Sequence, residues 1–261
     1  MIEDLPTRKV PRKGVSVSGR YSTPLYTAPC RADYRFLNLE YESLIEKNHL
    51  TMLEFQPIVR RLWTQKTFQI GSLKYTADII AEIQSYGSYP CPLIVIECKP
   101  YDDLKKNFVK HAKKFRRIKA WTAERGLIFK VLTERSLSIR HVQNIRHFNQ
   151  YLWRPMTCTE KDLITSLFAE RNIWSRNELV AHCFDNKLDV PAVDTALDKA
   201  IAQKLVLVDF AKPITDDTPL KWLTDLPEWR HPYREDSYIR MLLANASALS
   251  SVVLTNDLVR F

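Results

Sequence analysis

The run Leu93-Ile94-Val95-Ile96-Glu97-Cys98-Lys99-Pro100 is apolar and rich in β-branched residues, and it ends abruptly in an acid and a base two residues apart. Opened by Pro92 and closed by Pro100, it predicts a buried central strand. Side chains alternate across a strand, so Glu97 and Lys99 point to one face and Cys98 to the other. Charged groups at a buried strand end are costly without partners. A second apolar strand, Tyr75-Thr76-Ala77-Asp78-Ile79-Ile80-Ala81, offers one in Asp78. Asp78 and Glu97 together make an oxygen site for Mg²⁺, with Mn²⁺ as a substitute, in which phosphate oxygens and water complete the shell. Lys99 beside them would orient a water and offset phosphate charge. The plainer reading of E-x-K is a surface ion pair on an edge strand, with Asp78 opening a turn.

Charge placement favours the first reading. The formal net charge is +9, and residues 99–147 carry 14 Lys and Arg against 4 Asp and Glu, so the excess follows directly after the Glu97 strand. A basic field beside an oxygen-ligand site points to a polyanionic partner, most simply DNA. No apolar run has the length of a membrane span and the first residues lack a signal-peptide core, so a cytosolic protein is expected. Five cysteines without a C-x-x-C pair argue against a disulfide framework or a zinc cluster.

Taken in order, residues 1 to about 32 read as a basic, Pro- and Ser-rich arm with no sustained periodicity. Leu37, Tyr41, Leu44 and Ile45 recur at helical spacing and predict an amphipathic helix over about 36–48. On it, Glu42 lies nearer the apolar face than Glu46, so Glu42 looks back toward the sheet and Glu46 toward water. Short β-like pieces follow at 51–55, 58–63 and 67–70, then the Asp78 strand, a loop over 85–92 and the Glu97 strand. A helix over about 102–124 buries Leu104, Phe108, Ala112, Phe115 and Ile118. Its remaining face presents Lys105, Lys106, Lys110, Lys113, Lys114 and Arg117 as candidate contacts to a DNA backbone. Gly126 suits its C-cap, and 127–132 is a further buried strand.

This order, an α/β sandwich with the acids at one sheet edge, resembles the restriction-endonuclease-like PD-(D/E)xK nucleases. More narrowly, Glu42-Ser43-Leu44-Ile45-Glu46, the strand region around Gln65, Tyr75-Thr76-Ala77-Asp78 and Ile96-Glu97-Cys98-Lys99-Pro100 resemble the TnsA family over about residues 30–135. TnsA proteins are endonuclease subunits of heteromeric Tn-type transposases. The resemblance implies an active site of Glu42, Asp78, Glu97 and Lys99, with Glu40 the alternative helical acid. It also implies Mg²⁺ held by Asp78, Glu97 and Glu42, and cleavage of the 5′ strand at transposon ends. The implied partners are a DDE-type transposase and an AAA+ ATPase. Some members carry Gln at the position of Glu97. A self-sufficient nuclease of the same fold and a non-catalytic DNA-binding adaptor are the competing readings.

A hinge is expected at 151–155. Beyond it, Thr159-Glu160-Lys161-Asp162, Ser175-Arg176-Asn177-Glu178 and Asp189-Val190-Pro191 each open a helix, and 205–209 with 220–223 form a hairpin. Three helices and a hairpin resemble a winged helix over about 156–223. Its third helix carries Asp194 and Asp198, a poor surface for DNA. Residues 224–261 read as a tail for docking or packing.

Overall fold

The computed structural model describes residues 2, 4–6, 19–25, 35–56, 58–84, 92–152, 154–223 and 237–244. The fold is mixed α/β. The chain divides into two compact units, residues 1–137 with 235–261, and residues 138–234.

The first unit opens with β1 (Gly19–Leu25), antiparallel to β2 (Arg35–Tyr41). A strand at 35–41 and a helix α1 that begins only at Leu44 and runs to Glu54 replace the helix expected over 36–48. Leu37, Leu39 and Tyr41 alternate with Asn38 and Glu40, a period of two that the longer-range spacing conceals. Ser43 Oγ then accepts from the Glu46 N–H at 3.2 Å as the N-cap, which fixes the helix start. Because α1 continues through Glu54, the expected strand at 51–55 is helical as well, and its Leu50 and Leu53 are buried.

The site-bearing sheet has four strands in the order β3 (Val59–Ile70), β4 (Leu73–Ile83), β5 (Leu93–Cys98) and β6 (Ile128–Leu132). The pieces expected at 58–63 and 67–70 are one continuous β3, which Gly71, at φ 57°, turns back into β4. Strands β3, β4 and β5 pair antiparallel, whereas β5 and β6 are parallel, joined by α2 (Tyr101–Lys106) and α3 (Phe108–Ala123). The single helix expected over 102–124 is thus two, broken at Asn107. Asp103 spans the break, accepting from Asn107 Nδ2 at 2.8 Å and from His111 Nε2 at 2.9 Å. The break also takes Phe108 out of the buried stripe and leaves it exposed, while Leu104, Ala112, Phe115 and Ile118 stay inside. Leu104, Phe115 and Ile118 pack with Phe68, Ile70, Tyr75, Ala77, Ile80 and Val95 of the sheet in one apolar cluster. Gly126, at φ 66°, closes α3 and releases the chain into β6.

Two further pieces belong to this unit. Ile2 joins the same cluster, Pro6 O accepts from Thr67 N of β3 at 2.9 Å, and Leu5 O accepts from Lys66 Nζ at 2.9 Å. The rest of the basic arm up to residue 18 lies outside the described residues, as do residues 85–91. A short helix, Ser237–Leu243, buries Tyr238, Ile239, Leu242 and Leu243. The other aromatic and aliphatic tail residues, including Trp229, Tyr233 and 252–254, lie outside the described residues.

The second unit runs α4 (Ile139–Leu152), α5 (Cys158–Glu170), β7 (Ile173–Trp174), α6 (Arg176–Asp185), α7 (Val190–Ala202), β8 (Val206–Leu207) and β9 (Leu220–Trp222). Its three short strands form an antiparallel sheet in the order β7-β9-β8. Helix α4, assigned from sequence to the first domain, groups here, and the helix at 237–243, which we label α8, groups with the first unit. Capping boxes start α5 at Thr157 with Glu160, two residues before the expected Thr159, and α6 at Ser175 with Glu178 as expected. Leu167, Phe168, Leu179, Val193, Leu197 and Trp222 fill the interior. Among the described residues no helix is long and apolar enough to cross a membrane.

Candidate active site

Strand β5 delivers Glu97 at its buried end, and Lys99 follows directly beyond it with its backbone N–H still bonded to Leu132 O of β6 at 2.9 Å. The alternation expected for this strand brings the two side chains together, with Lys99 Nζ 3.1 Å from Glu97 Oε1. Asp78 lies on the neighbouring β4. Its Oδ2 accepts from the Cys98 backbone N–H at 2.7 Å and sits 3.9 Å from Lys99 Nζ. Asp78 and Glu97 are only 7% and 2% exposed. The structure therefore converges Asp78, Glu97 and Lys99 at one end of the β4/β5 pair.

A fourth group is a basic-helix lysine. Lys114 of α3, expected from sequence to face a DNA backbone, instead reaches Glu97 Oε1 at 2.9 Å, with its ammonium 5.2 Å from the centre of the Tyr75 ring. Lys105, Lys106, Lys110, Lys113 and Arg117 remain exposed. Position 114 lies one turn beyond 110 on α3, so spacing alone gave no sign of its separate role.

The helical acid differs from expectation. Glu42 precedes α1, and its backbone N–H donates to Glu46 Oε2 at 2.8 Å. Glu46, assigned from sequence to water, is buried at 5% exposure. The reason is the later helix start, which places Glu46 at the third helical position and turns a different face inward. Ser43 Oγ donates to Glu46 Oε1 at 2.9 Å, and Gln65 Nε2 of β3 donates to Oε2 at 3.4 Å. Glu40, the alternative acid, lies on β2, where its N–H donates to Thr64 Oγ1 at 3.0 Å. The S-x-x-E pattern at 43–46 was the sequence signal that could have found Glu46.

Electrostatically the acids divide. Burial, then the nearby Glu97 charge, push Asp78 up to about 8, with Lys99 opposing. Burial also raises Glu46, against hydrogen bonds from Glu42 N–H and Ser43. Burial works against the Glu97 charge as well, but Lys99 and Lys114 outweigh it and hold its pKa below the ordinary value. For Lys99, burial is outweighed by Asp78 and Glu97, which raise its pKa, so it stays a cation. Glu97 Oε2 and the Tyr75 hydroxyl are both buried without a hydrogen bond of normal length among the described residues, and the Glu97 charge acts on that hydroxyl.

Among the described residues no three His, Cys, Asp or Glu side chains stand together as a metal-holding group. The three-carboxylate set expected from Glu42, Asp78 and Glu97 is thus not assembled, and what stands there is the pair Asp78 and Glu97. That pair suits Mg²⁺, which keeps several waters and is commonly held by one or two carboxylates. The buried Glu97 carboxylate and the strongly raised Asp78 are both conditions that a cation would relieve. Comparison of the chain with protein-family profiles and with curated proteins finds no match.

Proposed function

We propose that this chain is a metal-dependent DNA endonuclease, its first unit of the restriction-endonuclease-like kind and its second winged-helix-like. The observation that carries the reading is the meeting of Asp78, Glu97 and Lys99 at one buried strand end. Asp78 and Glu97 would hold Mg²⁺, which supplies charge opposite the phosphate and acidifies a bound water. Asp78 and Glu97 favour the charged form of Lys99. Its role is to orient the attacking water and offset charge that grows on the phosphate oxygens. The exposed lysines of α2 and α3 would hold the backbone of the bound strand, so cleavage should fall steeply with added salt.

The subunit role follows from the TnsA resemblance, which assigns the 5′-strand cut at transposon ends to this chain and the 3′ chemistry to a DDE-type transposase. One observation on the second unit supports a subunit over a self-sufficient enzyme. Helix α7 carries Asp194 and Asp198, both tied to Arg176, with Arg176 Nη2 2.6 Å from Asp198 Oδ1. An acidic, internally paired helix is unsuited to a phosphate-lined groove, and suits a protein partner such as the ATPase regulator.

The test is nicking of supercoiled plasmid bearing transposon ends, with Mg²⁺ or Mn²⁺, with and without the transposase and ATPase. Wild type nicks, and Asp78→Ala and Lys99→Ala lose about 10³-fold or more, as removal of a transition-state charge stabiliser does. Equal nicking by all three proteins, or none from folded wild type with both partners present, refutes the reading.

A further inference from the structure

Gln65 stands in the middle of β3 with φ 55°, a left-handed conformation that is strained for a residue other than glycine. It is 0% exposed. Its neighbours Thr64 and Lys66 pair with Ile79 and Ala77, so Gln65 lies directly across from Asp78. At this level both strands change phase. Trp63 and Ile80 from one side, and Phe68, Tyr75 and Ala77 from the other, enter the same apolar cluster, which strict alternation does not permit. The bend alone would favour Gly or Asn, for which this backbone conformation is least costly. The chain carries Gln instead, and its amide reaches Glu46 Oε2 at 3.4 Å.

We infer that Gln65 is a positioning residue of the active site. The bend in β3 aims its amide at Glu46 and so fixes the α1 carboxylate within the field of Asp78 and Lys99, where Glu46 would accept hydrogen bonds from the water shell of a cation held by Asp78 and Glu97. The inference rests on the nuclease reading above. A hydrogen-bond donor one step removed from a metal site commonly carries 10- to 100-fold in affinity or rate, so the side chain matters beyond its place in the core.

The test uses the full chain and two variants. Gln65→Asn accepts the left-handed backbone but is one methylene short of Glu46, and Gln65→Glu keeps size while replacing the donor with a second carboxylate. Mn²⁺ binding followed by electron paramagnetic resonance, thermal melting and plasmid nicking are read together, with Asp78→Asn alongside. Gln65→Asn should melt within about 3 °C of wild type yet bind Mn²⁺ about 10- to 100-fold more weakly, with kcat lowered and the KM for DNA unchanged. Gln65→Glu should lose at least as much. If both variants bind Mn²⁺ and nick like wild type while Asp78→Asn does not, the inference falls and the nuclease reading stands. The inference also falls if Mn²⁺ binding is lost only in proportion to lost folding. Equal Mn²⁺ binding by wild type and Asp78→Asn overturns both.

Discussion

Asp78→Asn will make the metal-free protein more stable at pH 8.5 while abolishing cleavage. The folded-state pKa of Asp78 lies at about 8, above its ordinary 3.8, because burial and then Glu97 oppose its charge. A raised acid binds its proton more tightly folded than unfolded, so ionising it costs stability progressively as pH climbs from 4 to 8. Asparagine removes that cost, and its carbonyl can still accept the Cys98 N–H. The stability gain should be near zero at pH 4 and reach about 5–6 kcal/mol at pH 8.5. In a chain of this size that raises the melting temperature by roughly 10–24 °C. Urea or thermal melts in EDTA at the two pH values measure it. A variant no more stable than wild type at pH 8.5 would mean that Lys99 already neutralises Asp78 without a metal.

The opposite sign is expected one strand away. Glu97 is the acid that both lysines share, so its charge is stabilising, above the ordinary carboxylate range and less so as pH falls below it. Glu97→Gln leaves two ammonium groups facing a neutral amide. Because both lysine side chains are partly exposed, the loss is about 1–2 kcal/mol and not the larger cost of orphaning a fully buried charge. Two neighbouring carboxylates with opposite effects on stability are what a site holds when one acid is already paired by protein and the other awaits a cation. This is a familiar trade of stability for activity.

The strands of this site were legible because their signals are local. A β-branched run between two prolines fixes β5, and alternation then places Glu97 and Lys99 on one side without knowledge of the rest of the fold. Asp78 was legible for the same reason, as a lone acid in an apolar strand. What failed was phase. The 35–54 region fits a period of two and a helical period almost equally over a few residues, and the choice of the wrong one moved the helix start and exchanged Glu42 for Glu46. Lys114 was hidden because one-dimensional spacing cannot tell which lysine of a basic helix leans over the sheet edge. Gln65 was hidden because a positive φ at a non-glycine residue leaves no mark in the sequence. In each case a specific contact decides: the local Ser43–Glu46 cap, the Lys114–Glu97 pair and the Glu46–Gln65 bond.

The second large effect is a loss of stability on acidification, centred on His49 of α1. His49 is fully buried, with Nε2 3.1 Å from Thr133 O and Nδ1 2.8 Å from Tyr238 Oη. A carbonyl can only accept, so Nε2 carries the proton and Nδ1 accepts from the tyrosine hydroxyl, which ties α8 to α1 and to the end of β6. Burial holds the His49 pKa down to about 4, against the Thr133 bond, from its ordinary 6.5. Here the unfolded chain binds the proton more readily, so the contribution is complete above pH 6.5 and is lost as pH falls toward 4. It amounts to about 3 kcal/mol. Asp78 tilts the wild-type profile the other way over part of this range, so the measurement belongs in an Asp78→Asn background. There the difference in unfolding free energy against Asp78→Asn with His49→Gln should narrow by about 3 kcal/mol between pH 7 and pH 4. Tyr238→Phe should cost about 1–2 kcal/mol at pH 7 by leaving Nδ1 without its donor. A constant difference across that range would show that the buried imidazole takes up its proton as readily as it does in water, and that α8 does not seal it.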